Sequence, residues 1–186
     1  MPLILDPLNY LNNFNIRNVM SALTKNILNR IPSQYRDTAM IRIFGLMKIP
    51  LLFWIRPSVI EMTDKRCVVK IPLSRRTKNH LNSMYFGVLA AGADCAGGLA
   101  AMKQIENSGK KVSLAFKEFE AKFYKRAEGD THFICEQGEE ISAFVQTVIA
   151  SDERHHMPVK IIAKCPDKLG DEVVAEFSLL LSLKRK

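Results

Sequence analysis

The chain has 186 residues, 47% of them hydrophobic, which suffices for one substantial core and not for two independent ones. Its 27 Lys and Arg against 19 Asp and Glu leave a formal charge of +8 that favours anionic partners, but the basic residues fall in short scattered groups. Neither a zinc-finger spacing nor an RNA-recognition motif is present, so nucleic acid is not an expected partner.

Residues 7–30 carry Leu8, Leu11, Ile16, Val19, Met20, Leu23, Ile27 and Leu28 at roughly helical spacing, which predicts one or two amphipathic helices. Ser33 is placed to cap a further helix running to about Met47, and Pro50 with Pro57 is expected to end the helical region. Residues 1–57 are thus expected to form a helical extension packed on a second unit, residues 58–186. The most apolar run, 41–55, is interrupted by Arg42, Gly45, Lys48 and Pro50 and falls short of the roughly 20 residues a membrane span needs, so it should pack on the domain.

From Ser58 the apolar period changes to two. Residues 59–63 and 66–73, joined at Asp64-Lys65, read as a hairpin rich in β-branched residues. A polar loop, 74–83, leads into an apolar helix over about 84–105 that Asn107-Ser108-Gly109 terminates. In the strand that follows, 111–126, apolar positions move from Val112, Leu114 and Phe116 to Phe119, Ala121 and Phe123. That switch of parity predicts a β-bulge near Lys117-Glu118. A short strand, 131–135, a second and amphipathic helix, 138–150, and strands 159–164 and 172–183 complete the chain. The order implies an α+β fold in which an antiparallel sheet curls around one buried helix.

The four cysteines, Cys67, Cys95, Cys135 and Cys165, never form a Cys-x-x-Cys pair, which suits a reducing compartment; with no secretory signal visible, the expected location is cytoplasmic. No metal is expected, since the adjacent His155-His156 lack a third ligand of suitable spacing. Asp94 is the first candidate for an active site, because an ionised carboxylate in the middle of an apolar helix is costly unless paired, hydrogen-bonded or used in chemistry.

These residues resemble the hotdog-fold acyl-CoA thioesterases of the phenylacetate-degradation type, and a divergent, thioesterase-like branch of them in particular. In that family an Asn is followed after five residues by a His-Gly-Gly triplet, with an acid seven residues beyond its second Gly. Here Asn79, Tyr85-Phe86-Gly87 and Asp94 stand at those positions. The resemblance implies a hotdog fold over residues 58–186 and thioester hydrolysis, with Asp94 as general base or nucleophile. It also implies the backbone amide of Phe86, next to Gly87, as oxyanion donor, Asn79 as the side chain that orients substrate or water, and a hydroxyl from the long strand. Ser113 is the candidate for that hydroxyl, although counting from the following turn puts Phe116 there. No cofactor is implied; coenzyme A enters as part of the substrate, and Arg75, Arg76 and Lys78, with Lys110 and Lys111 at the helix exit, are the candidate partners for its phosphates.

The family pairs its sheets edge to edge, which implies a homodimer or a dimer of dimers in which Asn79 and Asp94 of different chains converge. Tyr85 and Phe86 replace the family's His and Gly, and the second helix is uncommon among its members. A non-catalytic protein that binds acyl-CoA or a fatty acyl chain is therefore the alternative. Asn79 as a former of its own turn, and Asp94 as a helix residue satisfied by a backbone group or a partner, also stay open.

Overall fold

The structure is a computed structural model and describes residues 31–186, so the stretch expected to be helical over 7–30 lies outside it. Helix α1 (Ser33–Lys48) starts one residue after Pro32, which takes the cap position expected for Ser33. Pro50 does not stop the helical region. It opens a second helix, α2 (Pro50–Ile55), where its fixed φ and missing N–H suit the first turn, and Pro57 follows the end of that helix. Arg42 fastens α1 to this corner, its guanidinium donating to the Pro57 carbonyl (3.1 Å) and to Ser58 Oγ (2.8 Å). The Thr38 hydroxyl accepts from the Val59 amide at 2.9 Å and ties α1 to the first strand.

Six antiparallel strands follow: β1 (Ser58–Met62), β2 (Cys67–Ile71), β3 (Val112–Phe123), β4 (Thr131–Cys135), β5 (Arg154–Lys164) and β6 (Val173–Arg185). They form one sheet in the order β1-β2-β4-β5-β6-β3, so β1 and β3 are its edges. The hairpin β1-β2 lies where the period-two pattern puts it. The β3-β6 ladder slips between Phe116 and Phe119, and Phe116, Phe119, Ala121 and Phe123 face the same side only because of that bulge. Strand β5 begins five residues earlier than its apolar pattern suggests and contains Pro158. This proline is tolerated because β4 pairs only with residues 162–164 of β5, while the side of β5 turned away from β6 is met at Lys160 by a side chain, Gln137 Oε1, at 2.6 Å.

Helix α3 (Phe86–Ser108) crosses one face of the sheet, and α4 (Gly138–Ile149) packs beside it over β5 and β6. Gly109, at φ 66°, ends α3 in the left-handed conformation that glycine adopts without cost. Gly92, Ala93, Ala96, Gly97, Ala100 and Ala101 of α3 are buried, and their small size lets the helix lie close to Phe133, Val159 and Ile161 of the sheet. Ile141, Val145 and Val148 give α4 its buried stripe. The side chain of Gln104 donates to the Asp64 carbonyl at 2.7 Å, pinning the far end of α3 to the β1-β2 turn. All four cysteines are buried, and burial pushes the Cys67 thiol up to about 12, so it behaves as a packing residue.

One expectation changes here. Helix α3 is not enclosed on all sides: the half turned from the sheet and α4 carries Phe86 and Asp94 exposed, with Ala90, Ala91, Gly98 and Leu99 half-buried. Alanine and glycine add little apolar area, so a helix rich in them reads as buried while leaving one flank open. Among the described residues, no helix is long and apolar enough to cross a membrane.

Candidate active site

The loop before α3 is built by its own polar side chains. Thr77 is almost wholly buried, and its hydroxyl donates to the Pro72 carbonyl at 2.6 Å. The Tyr85 amide donates to the Thr77 carbonyl and the Met84 amide to the Ala127 carbonyl, each at 2.8 Å, which fixes the start of α3 against the chain leaving β3. Asn79 closes a turn in this loop: its Oδ1 accepts from the amides of Leu81 (2.9 Å) and Ser83 (3.2 Å) and from Ser83 Oγ (3.3 Å). Asn82, at φ 59°, takes the left-handed position that asparagine tolerates. Asn79 is thus a turn former, and the group it has left for a ligand is its Nδ2.

The Asn79 loop, the first turn of α3 and the end of β3 border a shallow, open cleft of about 180 Å³ lined by Asn79, Met84, Phe86, Leu89, Phe123, Lys125 and Arg126, among others. The Phe86 ring meets Phe123 edge-on, centroids 5.7 Å apart, and Phe123 meets Phe177 at 6.0 Å, so aromatic rings form one wall. Phe86 is the first residue of α3. The earliest helical bonds run from the amides of Val88 and Leu89 to the Tyr85 carbonyl, which leaves the amides of Phe86 and Gly87 free at the positive end of the helix. Gly87 has a packing reason as well: a Cβ there would lie 2.8 Å from the Tyr85 ring.

Asp94 lies eight residues beyond Phe86, about 12 Å along the helix axis. Among the described residues it has neither a salt bridge nor a hydrogen-bond partner. Its carboxylate remains reachable by solvent, yet enough protein surrounds it that partial desolvation raises its pKa above the ordinary carboxylate value. The Phe116 ring reaches Gly97 and Gly98, the next turn of the same helix, at 3.5 and 3.8 Å from where their Cβ atoms would be.

The remaining candidates fall elsewhere. Ser113 pairs with Lys184 and is buried on the face of β3 opposite that of Leu114 and Phe116, so within one chain its hydroxyl does not point toward α3. Arg76 stacks on Trp54 at 4.7 Å, and Arg75, Arg76 and Trp54 line a separate hollow of about 470 Å³ that shares no residue with the cleft. Lys78 Nζ donates to Asn82 Oδ1 at 3.2 Å. The cations that do line the cleft, Lys125 and Arg126, were visible in the sequence only as one basic pair among several; the return of the chain at Ala127 brings them in. Lys125 pairs with Glu172, and Arg126 lies 3.9 Å from Glu128. His155 and His156 lie in β5 opposite Leu183 and Ser182, His155 half-buried and His156 exposed. Among the described residues, no three His, Cys, Asp or Glu side chains cluster as a metal site.

Several solved structures share this architecture. A Chlorobaculum tepidum protein of unknown function superposes with a TM-score of 0.71 at 11% identity, over 82% of this chain and 97% of its own. A Pseudomonas aeruginosa protein of unknown function, described as a probable thioesterase, gives 0.67 at 20% identity, over 80% and 96%. A thioesterase of Haemophilus influenzae gives 0.58 at 12% identity, over 77% and 88%. The fold is the hotdog fold, as the resemblance implied. No curated protein matches the sequence. Residues 38–179, well over half of the chain, match one family throughout, and the chain belongs to it: Domain of unknown function (DUF4442).

Proposed function

We propose that the protein hydrolyses the thioester bond of an acyl-CoA, as a homodimer, with Asp94 as the catalytic carboxylate. The observation that carries this is Asp94 itself: an unpaired carboxylate on the open flank of an apolar helix, its pKa raised by desolvation, on the helix whose first amides are unbonded. A carboxylate so placed takes a proton from water as the water oxygen bonds to the thioester carbonyl carbon; the tetrahedral oxyanion then collapses, the C–S bond breaks, and the departing thiolate recovers the proton from the carboxyl group. The developing oxyanion is held by the Phe86 amide, a donor whose loss typically costs about 100 to 1000-fold in turnover.

Within one chain that amide and that carboxylate are about 12 Å apart along the helix and cannot act on the same carbonyl. Two chains related by a two-fold axis solve this, Asp94 of one facing Phe86 and Asn79 Nδ2 of the other, with β3 as the edge available for pairing. The phosphates of coenzyme A fall to Lys125 and Arg126 rather than to Arg75 and Arg76, because the former pair lines the cleft. Two structural relatives described as thioesterases support the reaction class.

The Phe86-Phe123 contact favours a second reading, an acyl-binding protein without hydrolysis, since it puts a ring where the resembled family has a glycine. One assay separates the two: thiol release and ligand binding across acyl-CoA chain lengths, with Asp94→Asn alongside. Turnover in the native protein and its loss in the variant are expected. Binding without thiol release gives the site to the second reading.

A further inference from the structure

The corner where α1 meets α2 presents apolar side chains to solvent. Ile41, Leu52 and Ile55 face inward and anchor the two helices, whereas Leu46, Met47, Ile49, Leu51, Phe53 and Trp54 are all exposed, several of them over more than half of their surface. Patches of this kind on a soluble domain mark a surface that meets something. The corner is also rigid: the backbone of α2 lies against Gly45, where a Cβ would come within 2.6 Å of the Phe53 nitrogen, and Arg42 holds the other side through Pro57 and Ser58.

Its charge is one-sided. No Asp or Glu occurs between Asp37 and Glu61, while Lys48 and Arg56 are exposed at the ends of the two helices and Arg75 and Arg76 stand beside Trp54. Arg76 stacks on the Trp54 ring, which holds a cation at the level of the exposed indole. Apolar side chains and tryptophan flanked by Lys and Arg, with carboxylates left out, match the layered chemistry of an anionic bilayer: acyl chains below, phosphates and carboxylates above.

We propose that the α1-α2 corner is a docking surface for an anionic membrane, entered by Leu46, Met47, Leu51, Phe53 and Trp54 and held at the headgroups by Lys48, Arg56, Arg75 and Arg76. The corner lies on the bilayer, and among the described residues no helix is long and apolar enough to cross it. This rests on the corner and not on the chemistry of the cleft, and it holds whether the cleft hydrolyses its ligand or only binds it.

Trp54 is the single tryptophan of the chain and sits in the patch, so its fluorescence reports directly. The full chain is mixed with phosphatidylcholine vesicles containing phosphatidylserine, and separately with pure phosphatidylcholine vesicles, and followed by Trp54 emission and flotation. The expected result is a blue shift and flotation with the anionic vesicles only, weakened by salt. Arg75→Glu with Arg76→Glu should lower partitioning by about tenfold or more. Leu51→Ser with Phe53→Ser should abolish flotation, while Lys110→Glu with Lys111→Glu, on the loop after α3, should leave it intact; thermal unfolding checks that each variant is folded. Equal binding to neutral vesicles overturns the proposal. So does a Trp54 emission already blue and unmoved by either vesicle, as a covering by residues 1–30, by a second copy or by a protein partner would produce.

Discussion

The backbone of Gly92 lies directly beneath the ring of Phe133: a Cβ on Gly92 would fall 2.3 Å from two of the ring carbons. Phe133 is fully buried and packs in turn on Phe177 at 6.3 Å, so it has no direction in which to yield. This contact sets how closely α3 approaches the sheet. Gly92→Ala gains about 1 kcal/mol of helix propensity but overpacks the core at a cost of about 1 to 3 kcal/mol. The expected outcome is a lower urea midpoint. At Gly97→Ala the tightest contact is the flexible end of Ile161, at 3.2 Å, with Phe116 and Val159 at ordinary contact distances of 3.5 and 3.8 Å, so this variant should be nearly neutral in the same measurement.

Asp94→Asn should abolish thioester hydrolysis and stabilise the protein, because the folded state holds the carboxyl at a raised pKa. The folded chain binds the Asp94 proton more tightly than the unfolded chain does, so stability is lost as pH rises from the ordinary carboxylate pKa through the raised one. The variant's advantage in melting temperature should therefore be full at neutral pH and vanish in acid below both values. For the hydrolysis proposed above, the acid limb of kcat/KM in the native protein should lie above the usual carboxylate range, since the base acts only when ionised. An equal melting difference at both pH extremes would count against a desolvated Asp94.

The elements that could be read from the residues are those whose signal is local. The parity switch from Phe116 to Phe119 announced the bulge, Gly109 announced the end of α3, and the stripe Ile141, Val145 and Val148 announced α4. What the sequence hid depends on packing between distant segments. The exposure of Asp94 follows from which flank of α3 the sheet and α4 leave uncovered, and a helix of alanine and glycine gives no periodic hint of that flank. Nearness in sequence to Asn79 points Arg75 and Arg76 toward the phosphates of coenzyme A, whereas in the fold Arg76 stacks on Trp54. Lys125 and Arg126 reach the cleft because Ala127 bonds back to Met84, a relation across more than forty residues.

Lys125→Ala with Arg126→Ala should raise KM for acyl-CoA by about tenfold or more while leaving kcat nearly unchanged, as expected when uniform binding is removed. The same pair should have little effect on a short thioester of N-acetylcysteamine, which lacks the phosphates. Steady-state kinetics on both substrates give the ratio. A similar loss on both would mean that the two side chains shape the cleft rather than hold phosphate.

The two-chain site can be tested by mixing inactive proteins. Phe86→Pro removes one amide proton at the first position of α3, where proline is well tolerated, and Tyr85 already has the extended conformation, φ −65° and ψ 140°, that a following proline requires. The amide has no backbone partner, so no hydrogen bond of the fold is lost. Phe86→Ala, which removes the ring and keeps the amide, controls for the lost aromatic contact and should retain activity. Alone, Phe86→Pro and Asp94→Asn should each be inactive. In a dimer made of one of each, the site that combines the intact Asp94 of the first with the intact amide of the second is whole, while the other site carries both lesions. Random reassociation makes half of the dimers mixed, each with one working site of two, so activity should return to about a quarter of the native level. If amide and carboxylate served the same site from the same chain, every site would carry one lesion and mixing would restore nothing.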